Sequence, residues 1–194
     1  YISVASWNVR GLKSKDLNKV HDAEFMQEIS KHDIVALQET HCSPDDYIQV
    51  PGYIVHQVNR PLSRNKAHGG VAFLVKKDLK NGIRLINSDS PDRLWLCMKK
   101  EFFNTMVDTY IGTVYISPYN SPYSKKLTSS PYDQLEKDVV KYKSVGNVTI
   151  LGDFNSRTNE YADYVINDNV KYISVPFDYV EDKDFLNRRS EDLV

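Results

Sequence analysis

The sequence has few cysteines and no long apolar run, and both absences narrow the class of protein. Its only cysteines, Cys42 and Cys97, lie far apart without a CxxC spacing. This arrangement argues against a disulfide scaffold and against a zinc site, and it favours a reducing compartment. No apolar stretch approaches the roughly 18 to 20 residues that a membrane helix needs, so we expect no membrane association.

A strong basic charge, which marks many nucleic-acid-binding proteins, is also absent, since the net charge is −1. The charge is nevertheless uneven along the chain. Residues 159–194 hold nine acidic and four basic residues, a net of −5, which leaves +4 for residues 1–158. A basic body of this kind can bind a polyanion despite an acidic tail.

The length of 194 residues suits a single domain. The chain begins at Tyr1 rather than at methionine, and it ends at Val194 within a pattern typical of the start of a helix. We therefore expect one domain over residues 1–194 that is truncated at its C-terminus.

Short apolar runs and helical spacings predict alternating strands and helices. A strand ending at Asn8, a helix over 16–31 and a strand over 33–40 come first. The later predicted elements are an edge strand over 53–58, a central strand over 69–77, strands over 94–98 and 106–116, a helix over 130–142 capped by Ser130, and a strand over 148–151 that is buried on both faces.

Polar side chains lie at or near the ends of four predicted strands, namely Asn8, Glu39, Tyr115, and Asp153 with Asn155. If these strands are neighbours that point the same way, their ends form one patch with two carboxylates, two amides and a phenol. Oxygen ligands of this kind suit Mg²⁺, which in turn suits phosphate chemistry.

Each of these residues also has an ordinary structural explanation when it is taken alone. Asn8 fits a turn, Glu39 fits a surface carboxylate, and Tyr115 fits core packing. In GDFN, Asp153 could cap its own backbone in a β-turn. The ordered set, rather than any one residue, favours a shared site.

The phrases SWNVRGL, IVALQETH, HGGVAFLVK, VYISPYNSPY and TILGDFNSRT, in this order, resemble the endonuclease/exonuclease/phosphatase superfamily. Within it, they are most similar to the apurinic-endonuclease-like endonuclease domains of non-LTR retrotransposon polyproteins. The resemblance covers residues 1–158. It implies an α/β (α+β) fold, a four-layered sandwich of two mixed β-sheets flanked by helices, with the C-terminal strands missing here.

The resemblance also implies a function, Mg²⁺-dependent phosphodiester hydrolysis that nicks double-stranded target DNA, with Mn²⁺ able to substitute. It makes Glu39 the principal metal ligand with Asn8 beside it. Asp153 would orient or deprotonate the attacking water, Asn155 would bind the scissile phosphate, and Tyr115 would lie near the phosphate and leaving group. A nuclear location and continuity with a downstream reverse transcriptase are implied as well.

Four further residues are candidate substrate contacts. By resemblance, Asn120 corresponds to an amide that contacts phosphate, although its spacing is longer than usual. Arg10, Arg157 and His68 could reach the DNA backbone, but a solvated surface position is the favoured explanation for each of them.

One part of the family pattern is missing. The family closes with a Ser-Asp-His phrase preceded by another acidic residue, whereas the last histidine here is His68. The activity of this chain is therefore open. Two other hypotheses stand beside the nuclease: a small-molecule or lipid phosphodiesterase of the same superfamily, and a catalytically inactive DNA-binding remnant.

Overall fold

Eight strands form two four-stranded mixed sheets in the computed structural model, which describes residues 1–13, 18–86 and 89–156. In the first sheet β1 and β2 are parallel, and in the second β7 and β8 are parallel; the other pairs are antiparallel. The first sheet, in the order β1-β2-β4-β3, contains β1 (Val4–Asn8), β2 (Ile34–Gln38), β3 (Tyr53–Val58) and β4 (Val71–Lys76). The second, in the order β5-β6-β7-β8, contains β5 (Ile83–Ile86), β6 (Arg93–Met98), β7 (Thr109–Tyr115) and β8 (Asn147–Asp153).

Helices cover the outer faces of the two sheets. Alternate residues of β2 point to opposite sides: Ile34 packs between the sheets and Val35 packs outward. Helix α1 (Ala23–Ser30) covers the first sheet, and α3 (Pro131–Lys143) covers the second. A short helix, α2 (Lys100–Phe103), precedes β7. The predicted four-layered sandwich of two mixed sheets is confirmed.

The two parallel strand pairs determine where the polar strand ends lie. Asn8 is in register with Gln38 across β1 and β2, and Tyr115 is in register with Asp153 across β7 and β8. Parallel neighbours bring their C-terminal ends to the same edge of a sheet. Each sheet therefore presents a pair of polar residues at one edge.

The structure corrects two of the predicted elements. In the described part of the helix predicted over 16–31, the α-helix begins at Ala23, because the side chain of Asp22 accepts a hydrogen bond from the Phe25 N–H (2.8 Å) and caps the helix there. A 3-10 turn at Lys19–His21 precedes it, and residues 16 and 17 lie outside the described residues. Strand β8 is not buried on both faces: Thr149 is exposed, and β7 is the only described strand that pairs with β8.

Three other elements agree with the prediction, and two short elements were not predicted. Ser130 caps α3 as predicted, accepting a hydrogen bond from the Asp133 N–H. β3 is an edge strand and β4 is central, also as predicted. Strand β5 and helix α2 were not predicted, and each has only four residues. No helix within the described ranges is long and apolar enough to cross a membrane.

Candidate active site

The amide of Asn8 connects strand ends from both sheets. Its Nδ2 donates a hydrogen bond to Glu39 Oε1 at 3.0 Å and another to Asp153 Oδ2 at 2.7 Å. Asn8 ends β1, Glu39 follows β2, and Asp153 ends β8. The structure therefore brings together three residues that are 31 and 145 positions apart in the sequence.

The orientation of the Asn8 amide is determined by its other atom. Asn8 Oδ1 accepts a hydrogen bond from the backbone N–H of Arg10 at 3.1 Å, so the nitrogen faces the carboxylates. Asn8 thus offers Glu39 and Asp153 a donor. Its oxygen faces the Arg10 N–H rather than the two carboxylates, and the described residues leave one of its two lone pairs free.

Tyr115 is a second residue whose side chain contacts Glu39. Burial raises the pKa of the Tyr115 phenol, and the charge of Glu39 and a hydrogen bond to its carboxylate raise this pKa further. The phenol therefore stays neutral at physiological pH and donates its proton towards Glu39.

His41 lies on the other side of the same carboxylate, and the sequence analysis did not identify it. Its Nε2 is 3.3 Å from Glu39 Oε2. Burial lowers the pKa of His41, and this effect exceeds the opposing effect of the Glu39 charge. A neutral imidazole can donate a hydrogen bond to Glu39 without neutralising its charge.

Backbone strain is concentrated in the loops that carry these residues. Arg10, Glu39, His41 and Asn155 have positive φ angles of 46°, 53°, 51° and 44°. Such conformations cost of order 1–3 kcal/mol each for residues other than glycine and persist only where other contacts hold them. One such contact is the hydrogen bond from the Gly11 N–H to Glu39 O at 2.7 Å.

Asn155 is held at the end of β7, beside Tyr115. Its Nδ2 donates to Ile116 O at 2.8 Å, and its backbone N–H donates to Asp153 Oδ1 at 3.0 Å. Asp153 therefore caps its own turn with one oxygen and binds Asn8 with the other. Asp153 thus both caps its own turn and lies in the cluster of polar strand ends, so these two expectations are compatible.

Arg60, which the sequence analysis also missed, supports the site from behind. It is 2% exposed, and its Nε lies 2.5 Å from Asp92 Oδ1. Its guanidinium donates to Ser117 Oγ at 2.7 Å and lies 5.0 Å from the centre of the Tyr115 ring and 3.6 Å from that of Tyr123. One buried cation thus connects the segments that follow β3, precede β6 and follow β7.

Gln38 connects the two sheets beneath the site. It is 1% exposed, and its Nε2 donates to Thr113 Oγ1 at 2.9 Å in the facing sheet. Its Oε1 accepts a hydrogen bond from Ser6 Oγ at 3.3 Å. This buried pairing sets the spacing of the sheets directly below Glu39.

The predicted substrate contacts lie at different distances from this cluster. Arg10 is exposed beside Asn8, and no described carboxylate pairs with its guanidinium. The ring of His68 packs edge-on against Tyr123, 5.8 Å between centroids. Asn120 is exposed in the turn after β7, and the structure brings it to none of the described site residues. Arg157 lies outside the described residues.

The donor set fits a hard cation better than a soft one. Within the described ranges, no group of three or more His, Cys, Asp and Glu side chains is arranged to bind a metal. Mg²⁺ needs fewer ligands, because it is commonly bound by one or two carboxylates together with water and phosphate. Glu39 and Asp153 supply two such carboxylates, and no lysine or arginine in the described part of the chain pairs with either.

Gly152 positions Asp153, and we predict that alanine there is not tolerated. Its φ is 144°, and a Cβ atom would overlap the carbonyl oxygen of Val114 on β7. We expect Gly152→Ala to disrupt the β7–β8 pairing and lower the free energy of unfolding by at least about 1 kcal/mol. Urea denaturation tests this, with Thr149→Ala, exposed on the same strand, as the control. Equal effects of the two substitutions would contradict it.

Tyr123 should make the protein less stable at alkaline pH. Burial, followed by the charge of Asp92, raises the pKa of Tyr123 to about 12, whereas an unfolded tyrosine ionises near pH 10. Between these values the unfolded state holds fewer protons, so stability falls as pH rises. Thermal unfolding across this range should show a smaller loss for Tyr123→Phe than for the parent chain. The same reduction in exposed Tyr119→Phe would refute the assignment.

A profile of the Endonuclease/Exonuclease/phosphatase family matches residues 5–180, a range that includes Asn8, Glu39 and Asp153. The chain belongs to this family. No curated protein sequence matches it.

Solved structures with a similar fold include the AP endonuclease LMAP from Leishmania major, at 17% identity and a TM-score of 0.59, covering 84% of this chain and 58% of that one. The 3′ phosphatase NExo from Neisseria, bound to a product DNA hairpin, has 15% identity and a TM-score of 0.54, with 82% and 60% covered. The human Nocturnin catalytic domain, with bound sulfate, has 18% identity and a TM-score of 0.53, with 80% and 64% covered. This family member thus spans about three fifths of the length of these proteins.

Proposed function

We propose that the cluster of Asn8, Glu39 and Asp153 hydrolyses phosphodiester bonds with Mg²⁺, for which Mn²⁺ can substitute. The observation that carries the proposal is the pair of carboxylates that share the Asn8 amide and have no cationic partner within the described residues. Two adjacent negative charges attract a cation. In a family of nucleases and phosphatases, the reaction that such a site serves is hydrolysis at phosphorus.

We assign a separate catalytic role to each residue of the cluster and its surroundings, according to the chemistry of its side chain. Glu39 would hold the cation, which when bound neutralises charge on the phosphate. Asp153 would orient the attacking water and accept its proton, because its carboxylate is held in place by Asn8 and by its own turn. Asn155, as an exposed amide, and Tyr115, whose single O–H would turn from Glu39 to the substrate, would donate hydrogen bonds to phosphate oxygens.

The substrate that we propose is double-stranded DNA, nicked as the target of a non-LTR retrotransposon. The phrases WNVRGL, LQETH and GDFN support this choice within the family. So do similar folds among proteins named as an AP endonuclease and as a phosphatase bound to DNA. With this function we also propose a nuclear location and continuity with a downstream reverse transcriptase.

Incubation of the full chain with supercoiled plasmid tests the proposal. We expect nicked circles with Mg²⁺ or Mn²⁺ and none with a chelator. Hydrolysis of inositol phosphates or sphingomyelin in place of plasmid would favour the small-molecule or lipid phosphodiesterase. DNA binding without cleavage under either metal would favour the inactive remnant.

A further inference from the structure

A groove of about 520 Å³ opens beside the site, between the loop that follows β3 and the loop that follows β7. His41 and Tyr115 line it and also contact Glu39, so the groove continues directly from the cluster. Its size is that of a site for a small ligand or for part of a polymer. A substrate held at the cluster would therefore extend into it.

The charge of the groove has one sign. Lys66, His68 and Lys126 line it, and no acidic side chain of the described residues does so. Lys66 and Lys126 are exposed, and neither ammonium pairs with a carboxylate in the described ranges. Arg60, whose charge Asp92 neutralises, lies in the wall. The free positive charges are thus at the rim, where they can contact phosphates.

Apolar side chains and an aromatic ring also line the groove. Leu62, Pro118 and Pro122 line it, together with Tyr123. Arg60 lies 3.6 Å from the centre of the Tyr123 ring, and His68 packs edge-on against it. Aromatic rings and apolar surface between basic side chains are the usual features of sites that bind single-stranded nucleic acid.

We propose that this groove binds an unpaired stretch of nucleic acid on one side of the scissile phosphate, with Lys66 and Lys126 on its backbone and its bases or sugars over Tyr123. The inference rests on the proposed function and adds that the double-stranded target is locally unpaired where it enters the groove. A duplex is too wide to enter a groove of this volume, so paired DNA would reach only the rim. A small phosphate ester would leave the groove without an occupant.

Binding of labelled oligothymidine, measured by fluorescence anisotropy in chelator at several salt concentrations, tests the inference without cleavage. We expect Lys66→Ala and Lys126→Ala each to weaken binding several-fold and to lower the salt slope by about 0.7. Lys125→Ala is the matched control, because Lys125 is exposed next to Lys126 but does not line the groove. Equal losses in all three variants would overturn the inference, as would an absence of binding by the parent chain.

A charge introduced into the groove provides a second test. Leu62, 47% exposed, lines the groove, whereas Leu85, 36% exposed, lies on β5 and does not. In about 0.15 M salt we expect Leu62→Glu to weaken oligothymidine binding several-fold and Leu85→Glu to leave it unchanged, because exposed charges are then screened beyond roughly 8 Å. Annealing the complementary strand should weaken binding by the parent chain. Equal or tighter binding of the duplex would overturn the inference.

The plasmid assay separates this inference from the proposed function. Nicking by a chain that fails the oligothymidine tests would refute the groove alone. Oligothymidine binding that depends on Lys66 and Lys126, in a chain that never nicks, would refute hydrolysis alone.

Discussion

Replacement of Asp92 with alanine is expected to lower the free energy of unfolding by about 3 to 5 kcal/mol. Asp92 is the carboxylate partner of Arg60, whose side chain is only 2% exposed. Without Asp92 the guanidinium remains buried with a hydroxyl and two aromatic rings as its described contacts. Removing one partner of a buried pair leaves a charge without compensation, which costs far more than the net contribution of the pair itself.

Unfolding of the full chain in guanidinium chloride measures this loss of stability. Two further variants test whether the unpaired charge of Arg60 causes it. Asp89→Ala removes a carboxylate that is 93% exposed and pairs with Arg93 at 3.4 Å, so we expect a change below about 1 kcal/mol. Arg60→Met combined with Asp92→Ala should recover much of the loss, because both charges are then absent. If the double variant is no more stable than Asp92→Ala, the buried charge is not the cause.

The same arginine shows why part of the site could not be predicted from sequence. Arg60 and Arg64 lie four residues apart in one loop, yet Arg60 is buried and Arg64 is exposed. Nothing local distinguishes them. The difference arises from Asp92, 32 residues away, and from Ser117, 57 residues away. Burial of a loop side chain depends on tertiary partners, which no periodicity in the sequence reveals.

The strand ends were predictable because their signal is local. Apolar runs that stop at a polar residue predict both a strand and the position of its end, as at Asn8. Parallel pairing then brings Asn8 beside Gln38 and Tyr115 beside Asp153. What the pattern could not give was the environment of β8, since the apolar character of Val148–Leu151 predicted a buried strand and Thr149 is exposed.

Replacement of Glu39 with glutamine is expected to reduce plasmid nicking by about 10² to 10⁴-fold and to abolish magnesium binding. Glutamine retains an oxygen that can accept the hydrogen bond from Asn8 Nδ2, so the fold should survive. It removes the negative charge that we propose holds the cation. Initial nicking rates and a calorimetric titration with Mg²⁺ measure the two effects separately.

Asp153→Asn should lower the nicking rate but retain most Mg²⁺ binding, and this contrast with Glu39→Gln tests the roles assigned to the two carboxylates. We expect a loss of rate of similar size, because asparagine cannot accept the proton of the attacking water, while most of the magnesium binding remains on Glu39. Glu28→Gln is the control, since Glu28 is exposed on α1 and pairs only with Lys31 among the described residues. If Glu39→Gln and Asp153→Asn both bind Mg²⁺ like the parent chain, the cation does not lie between these residues and the proposed mechanism is wrong.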